Sequence, residues 1–334
     1  MARYLNDQAK VVLFLESGTY GQPLATANWP GMVQESSVIE SQNVIQSRFL
    51  GQGNRNVGEF HNGPNTFEGT LSFFPQDWRM LGLALGSITT GSASAQADNY
   101  QFTMSQVFSN VRHSAFTSGT FNPWMSFTLE ESSTGPVANK NSIRTFKGCV
   151  VNSYTLNLNQ GEPVSVEVEF IAQTGSFTSG GTTAVTAGSN RAYLWSDAVW
   201  QVAGTTQEAV KSLSFAYNNT FEAPNYVNGS RIIKDPFPSS VESTVEVTQD
   251  LDDTTVGSLY YIYFQGGSKF NATLDINNTV NTGSHRLTVT FSGCRIIDME
   301  SPTAIEGVRE ITYTLVPGSV SAIAHDRLPL YTAF

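Results

Sequence analysis

The sequence predicts a mainly β chain made of two tandem β-barrel or β-sandwich modules, each with one short α-helix. Three observations carry this expectation. Stretches alternating apolar and polar residues recur along the chain, helical periodicity is confined to short segments, and one run of residues reappears 145 positions further on.

The alternation is clearest over Pro163–Phe170, where Val164, Val166, Val168 and Phe170 share one face of an extended strand. Leu287–Phe291 and Val308–Leu315 repeat the pattern with β-branched residues, and Trp124–Leu129 and Tyr260–Phe264 read as further strands. Gly, Asn, Ser and Thr clusters separate them. A helix is predicted over Gln76–Leu85: Pro75 precedes it, and Trp78, Leu81 and Leu85 fall on one face. Asp250–Leu259 is its weaker counterpart in the second half.

Shifted by 145 positions, Thr128-Leu129-Glu130 meets Thr273-Leu274-Asp275, and Thr145-Phe146-Lys147-Gly148-Cys149 meets Thr290-Phe291-Ser292-Gly293-Cys294. Val151 meets Ile296, and Val166, Val168 and Phe170 meet Ile311, Tyr313 and Leu315, with no gap from Thr128 to Phe170. Strand register is therefore kept in both copies. Phe146, Gly148 and Cys149 with Phe291, Gly293 and Cys294 form the expected repeat-equivalent core. Upstream the match needs gaps: Ser47–Leu50 resembles Ser230–Ile233, and Gln76-Asp77 resembles Gln249-Asp250. The first copy carries insertions at Gly51–Asn65, whose counterpart Lys234–Ser239 is much shorter, and around Thr89–Asn99. The expected organisation is an N-terminal arm over 1–30, a first module over 31–173, a connector over 174–206, a second module over 207–318 and a C-terminal arm over 319–334. The aromatics Tyr193, Trp195 and Trp200 in the Gly/Thr/Ser-rich connector predict that it docks on something.

The 334 residues are 40% hydrophobic, enough for sizeable cores, and only 14% charged, which predicts much covered surface. Net charge is −10, and no Lys/Arg run marks a face that grips nucleic acid. Four histidines, His61, His113, His285 and His325, show no metal spacing. Cys149 and Cys294 are too few and too far apart for a disulfide framework or a zinc site, and read as buried residues of a reducing compartment. The glycines of Gly51–Gly58 lack the Lys-Ser/Thr ending and the following helix of a phosphate loop. Glu130 and Glu131 are neighbours on a strand and point to opposite faces, and Asp252-Asp253 is the other acid pair. No catalytic residue, cofactor or metal is expected. The start of the chain lacks a signal-peptide core, and no apolar stretch reaches the ~20 residues that span a bilayer.

The closing element is the most informative: a Phe-x-Gly strand (Phe146-Lys147-Gly148) leads through Asn159-Gln160-Gly161 into the alternating strand Val164–Phe170, and recurs from Thr290 to Leu315. With early strands, a Gly/Asn-rich loop and one short helix near Gln76-Asp77, this order resembles the tail-tube proteins of long-tailed phages. The resemblance implies tail-tube-like modules, no enzymatic activity, and a virion component assembled in the host cytoplasm. Single-module relatives form hexameric rings stacked around the DNA path. A double module implies a trimeric, pseudo-hexameric ring of the kind found in flexible, siphovirus-like tails. Its implied partners are other copies of itself, a tape-measure protein and tail-tip or terminator proteins, with DNA passing the lumen without specific binding. The loop residues Gly51, Gln52, Asn54, Arg55, Asn56, Glu59, Phe60, His61 and Asn65 are expected to stack rings, and Tyr193, Trp195 and Trp200 to seal subunits. A decoration or adhesion β-sandwich, and behind it a carbohydrate-active enzyme with convergent acids, are the alternative readings.

Overall fold

The computed structural model describes residues 9–16, 20–47, 59–90, 100–107, 125–133, 141–185, 191–222, 231–233, 236–251, 257–278, 285–301 and 309–326. The chain is mainly β. Its first part runs β1 (Ala9–Glu16), β2 (Pro23–Asn28), β3 (Gly31–Ser47), β4 (Glu59–Pro75), α1 (Arg79–Leu85), β5 (Gly86–Thr90), β6 (Tyr100–Gln106), β7 (Phe127–Ser133), β8 (Asn141–Asn159), β9 (Ser165–Ala172) and β10 (Thr174–Gly180). It continues with β11 (Ala198–Val202), β12 (Thr205–Gln207), β13 (Val210–Asn218), β14 (Phe221–Glu222), β15 (Phe237–Pro238) and β16 (Glu242–Asp250). A π-helical segment (Gly257–Gln265) precedes β17 (Phe270–Asn278), β18 (His285–Glu300), β19 (Glu310–Val316) and β20 (Ser319–Asp326).

A central antiparallel sheet has the order β3-β4-β9-β8-β13-β16-β19-β18. Two flanking sheets share its long strands: β2-β1-β7-β8-β10 uses the first half of β8, and β12-β11-β17-β18-β20-β6-β5 the first half of β18. Each long strand changes sheet beside a glycine at φ +64°, Gly148 or Gly293, a conformation that a β-carbon resists. The bulge between Val151 and Ser153 against β9 recurs between Ile296 and Asp298 against β19, 145 positions on.

Strict alternation explains the core. β9 buries Val166, Val168 and Phe170, β16 buries Val245 and Val247, and β19 buries Ile311, Tyr313 and Leu315, while the residues between them are not buried. Phe215 packs on Phe291 at 5.0 Å between ring centroids, and Trp200 on Phe291 at 5.9 Å.

Several local expectations change. The helix starts at Arg79, three residues late, with the Asp77 carboxylate accepting from the Arg79 amide at 3.1 Å. Tyr260–Phe264 lies in the π-helical segment and not in a strand, and Asp250 ends β16. A short apolar run fits either state, and packing decides. Ala9–Glu16, in the expected arm, is a strand between β2 and β7, and Ser319–Asp326 is a strand between β18 and β6. Register sets Gly69 where Val245 stands, since Gly69 faces Phe170 and Val245 faces Leu315; Phe73-Phe74, not Gln76-Asp77, therefore matches Gln249-Asp250.

Candidate assembly interface

The central sheet has two unlike faces. One carries the aromatic and aliphatic core. The other presents Glu35, Glu68, Glu167, Glu169 and Glu246, all exposed, among Ser37, Thr70, Ser72, Thr155, Asn157 and Ser214. Thr70 faces Glu169, Ser72 faces Glu167 and Ser214 faces Glu246 across neighbouring strands, so the acids stand on one surface. Lys211 lies 2.6 Å from both Asp250 and Glu310, and its hydrogen bonds to these two carboxylates raise its pKa.

The two parts of the sheet meet at β8 and β13, where Tyr154 faces Tyr217, Leu156 faces Phe215 and Leu158 faces Leu213. All six side chains are buried. The outer strands are β3, paired with β4 alone among the described residues, and the second half of β18, paired with β19 alone. Both therefore present a row of backbone donors and acceptors for a further strand. β3 and β4 also extend beyond the sheet as a two-stranded ribbon, on which Val44, Ile45 and Phe60 are exposed at 42%, 53% and 65%.

A family model described as phage tail tube protein matches residues 8–317. The chain belongs to the phage tail tube protein family. Among solved structures, the SPP1 tail tube, determined by solid-state NMR and cryo-EM, is similar at 18% identity and a TM-score of 0.29, over 37% of this chain and 76% of its own. A search of curated proteins returned no match. The tail tube chain is accordingly a structural subunit and a component of the virion tail. No helix among the described residues is long and apolar enough to cross a membrane.

Of the residues expected to stack tail tube rings, Gly51, Gln52, Asn54, Arg55 and Asn56 lie outside the described residues. Glu59, Phe60, His61 and Asn65 are strand residues of β4, facing Ser47, Gln46, Ile45 and Gln42 on β3. Tyr193 and Trp200 dock inside their own chain. Tyr193 stacks on Trp78 at 4.9 Å, and the Trp200 indole donates to the Tyr313 hydroxyl at 3.0 Å. Trp195 keeps 41% of its surface.

Phe146, Cys149, Phe291 and Cys294 are buried, and each thiol donates to a carbonyl three residues back, Cys149 to Phe146 at 3.4 Å and Cys294 to Phe291 at 3.3 Å. Burial pushes both thiols up, Cys294 to about 11. Sequence reasoning missed two buried polar residues. Glu16 accepts four hydrogen bonds, and the Asn219 amide donates to Ala84 and Val151 carbonyls at 2.7 and 3.0 Å. The signal for Glu16 is a lone acid closing the apolar run Val11–Leu15.

Proposed function

We propose that the chain is a tandem duplication of two tail tube modules, and that three copies close a pseudo-hexameric ring whose stacks enclose the DNA path. The observation that carries this reading is the match between the inner junction and the outer edges. β8 closes the first half of the central sheet and pairs with β13, which opens the second half. β18 closes the second half and β3 opens the first, and both are unpaired on that side among the described residues. Repeating the β8–β13 pairing between copies joins β18 to the next copy's β3. Three copies set twenty-four strands side by side, the sixfold number of modules that the repeat implies, and a barrel of that size keeps an open channel. Closure removes the sheet edges that would otherwise template aggregation.

In this arrangement the acidic face lines the lumen. Glu68, Glu167, Glu169 and Glu246 repel phosphate, so the genome slides without sticking. The β3–β4 ribbon, with Phe60 and Ile45 exposed, reaches the adjacent ring and sets the stack. Among the described residues its place in the second half is taken by the short β14–β15 pair, and the unequal ribbons favour threefold stacking. Trp195 is the connector residue left to touch another subunit. Tape-measure, tail-tip and terminator proteins complete a flexible, sheathless tail assembled in the host cytoplasm. Negative-stain electron microscopy with light scattering tests the reading. Rings or hollow tubes with a trimer mass support it, and a monomer at every concentration, even with a tail-tip complex added, ends it.

A further inference from the structure

We propose that Gln42 staples one copy of the chain to the next, in the place that Asn219 holds between the two halves of one chain; the inference rests on the ring reading above. Register matches the residues. Leu71 on β4 faces Val168, and Val247 on β16 faces Tyr313, 145 positions beyond Val168. Leu71 in turn faces Ser36 on β3, and Val247 faces Leu213 on β13, so Ser36 corresponds to Leu213. The bulges agree: Val33 to Glu35 on β3 matches Val210 to Ser212 on β13. Six residues further on, the same step sets Gln42 against Asn219.

Asn219 shows what this position does. Wholly buried, it donates its backbone amide to the Asn152 carbonyl at 2.7 Å and its side-chain amide to Val151 and to Ala84, in the last turn of α1. Helix ends leave carbonyls without internal partners, and a buried donor there satisfies one of them. The counterparts of Val151 and Asn152 are Ile296 and Ile297, at the open edge of β18. The counterpart of α1 is the π-helical segment. Every residue of α1 is buried, packed against β8, β5 and β6, whereas Ile262 of the π-helical segment is 50% exposed. Gln42 is itself exposed on β3. A glutamine supplies the same two amide donors as an asparagine.

The same register opposes Ser41 to Asp298, Glu40 to Met299 and Ile39 to Glu300 of the adjoining copy. Where the inner junction buries Tyr217 against Tyr154, this seam sets Glu40 against Met299. With less apolar area to bury, the seam depends more on its polar staple.

The test uses full-length protein carrying Ser41→Cys and Asp298→Cys under mild oxidation. Ser153→Cys with Asn218→Cys, which face each other inside one chain, serves as the geometric control. The native thiols are buried. The expected result is a covalent trimer, whose yield at fixed concentration falls about tenfold on adding Gln42→Ala or Gln42→Glu. Both variants keep the thermal midpoint of the unassembled chain, whereas Asn219→Ala lowers it. Trimer yield unchanged by either Gln42 variant overturns the staple and leaves the ring standing. Failure to cross-link a preparation of trimer mass, while the control pair links, overturns the register and the staple together. A monomer at all concentrations overturns the ring and this inference with it.

Discussion

The Gly148 amide donates to Glu16 Oε1 at 2.8 Å, joining residues 132 positions apart at the point where β8 leaves one sheet for another. The same carboxylate, 2% exposed, accepts from the Gly21 amide at 2.9 Å and from the Ser126 and Thr128 hydroxyls at 2.6 Å each. Glu16→Ala leaves four donors without their acceptor and is expected to cost about 3 kcal/mol or more of unfolding free energy, read by denaturant titration of the unassembled chain. In the second half the matching Gly293 amide donates to exposed Asn271 at 3.0 Å. Asn271→Ala is expected to cost less than about 1 kcal/mol, because water replaces the lost acceptor.

The two sheet-changing glycines share φ +64° and differ in surroundings. A β-carbon on Gly148 meets Tyr20 Cζ and Gln173 Cβ, both at 2.8 Å, whereas one on Gly293 meets nothing within 4 Å. Gly293→Ala should carry the left-handed backbone cost alone, about 1–2 kcal/mol. Gly148→Ala should add an overpacking cost of about 1–3 kcal/mol. Paired thermal melts check the difference, and equal costs would contradict the packing described for Tyr20.

His325 on β20 faces Arg286 on β18 and Gln101 on β6. Burial first, and the Arg286 charge second, lower its pKa from 6.5, with Asp275 partly opposing. The unfolded chain therefore takes up this proton first as pH falls. The stability His325 contributes is complete above about pH 6.5 and is lost as pH drops through the lowered folded value. Melts between pH 7.5 and 5 should show wild type losing stability relative to His325→Gln on acidification; parallel curves would show that the imidazole is not held neutral.

Cys149 and Cys294 should both resist a thiol reagent at neutral pH in native protein, since burial removes access and disfavours thiolate. Both should react once the chain is unfolded. Rapid native labelling of Cys294 alone would mean that the second core opens locally.

Much of this fold was legible in the residues. The 145-residue recurrence led to Cys149 and Cys294, and these bond equivalent carbonyls in the structure. Period two located β9, β18 and β19. What stayed hidden depends on partners distant in sequence. Ser319–Asp326 alternates Val320, Ala322 and Ala324 with more polar residues, yet it lies between β18 and β6, the latter more than two hundred positions earlier. Ala198–Val202 hid within a polar connector although Trp200 belongs to the core. The Tyr260–Phe264 run reads equally as strand or buried helix. The candidate seam was not legible at all, since the equivalence of β3 and β13 appears only once their pairing partners are known.

The most direct test is cryo-electron microscopy of the purified protein under conditions that promote assembly, with mass measured by light scattering. The account predicts rings or tubes of three copies, a continuous inner wall in which β18 of one copy pairs with β3 of the next, and the Glu167–Glu169–Glu246 face toward the channel. Rings of six copies, or a wall in which β3 and β18 remain unpaired, would contradict it.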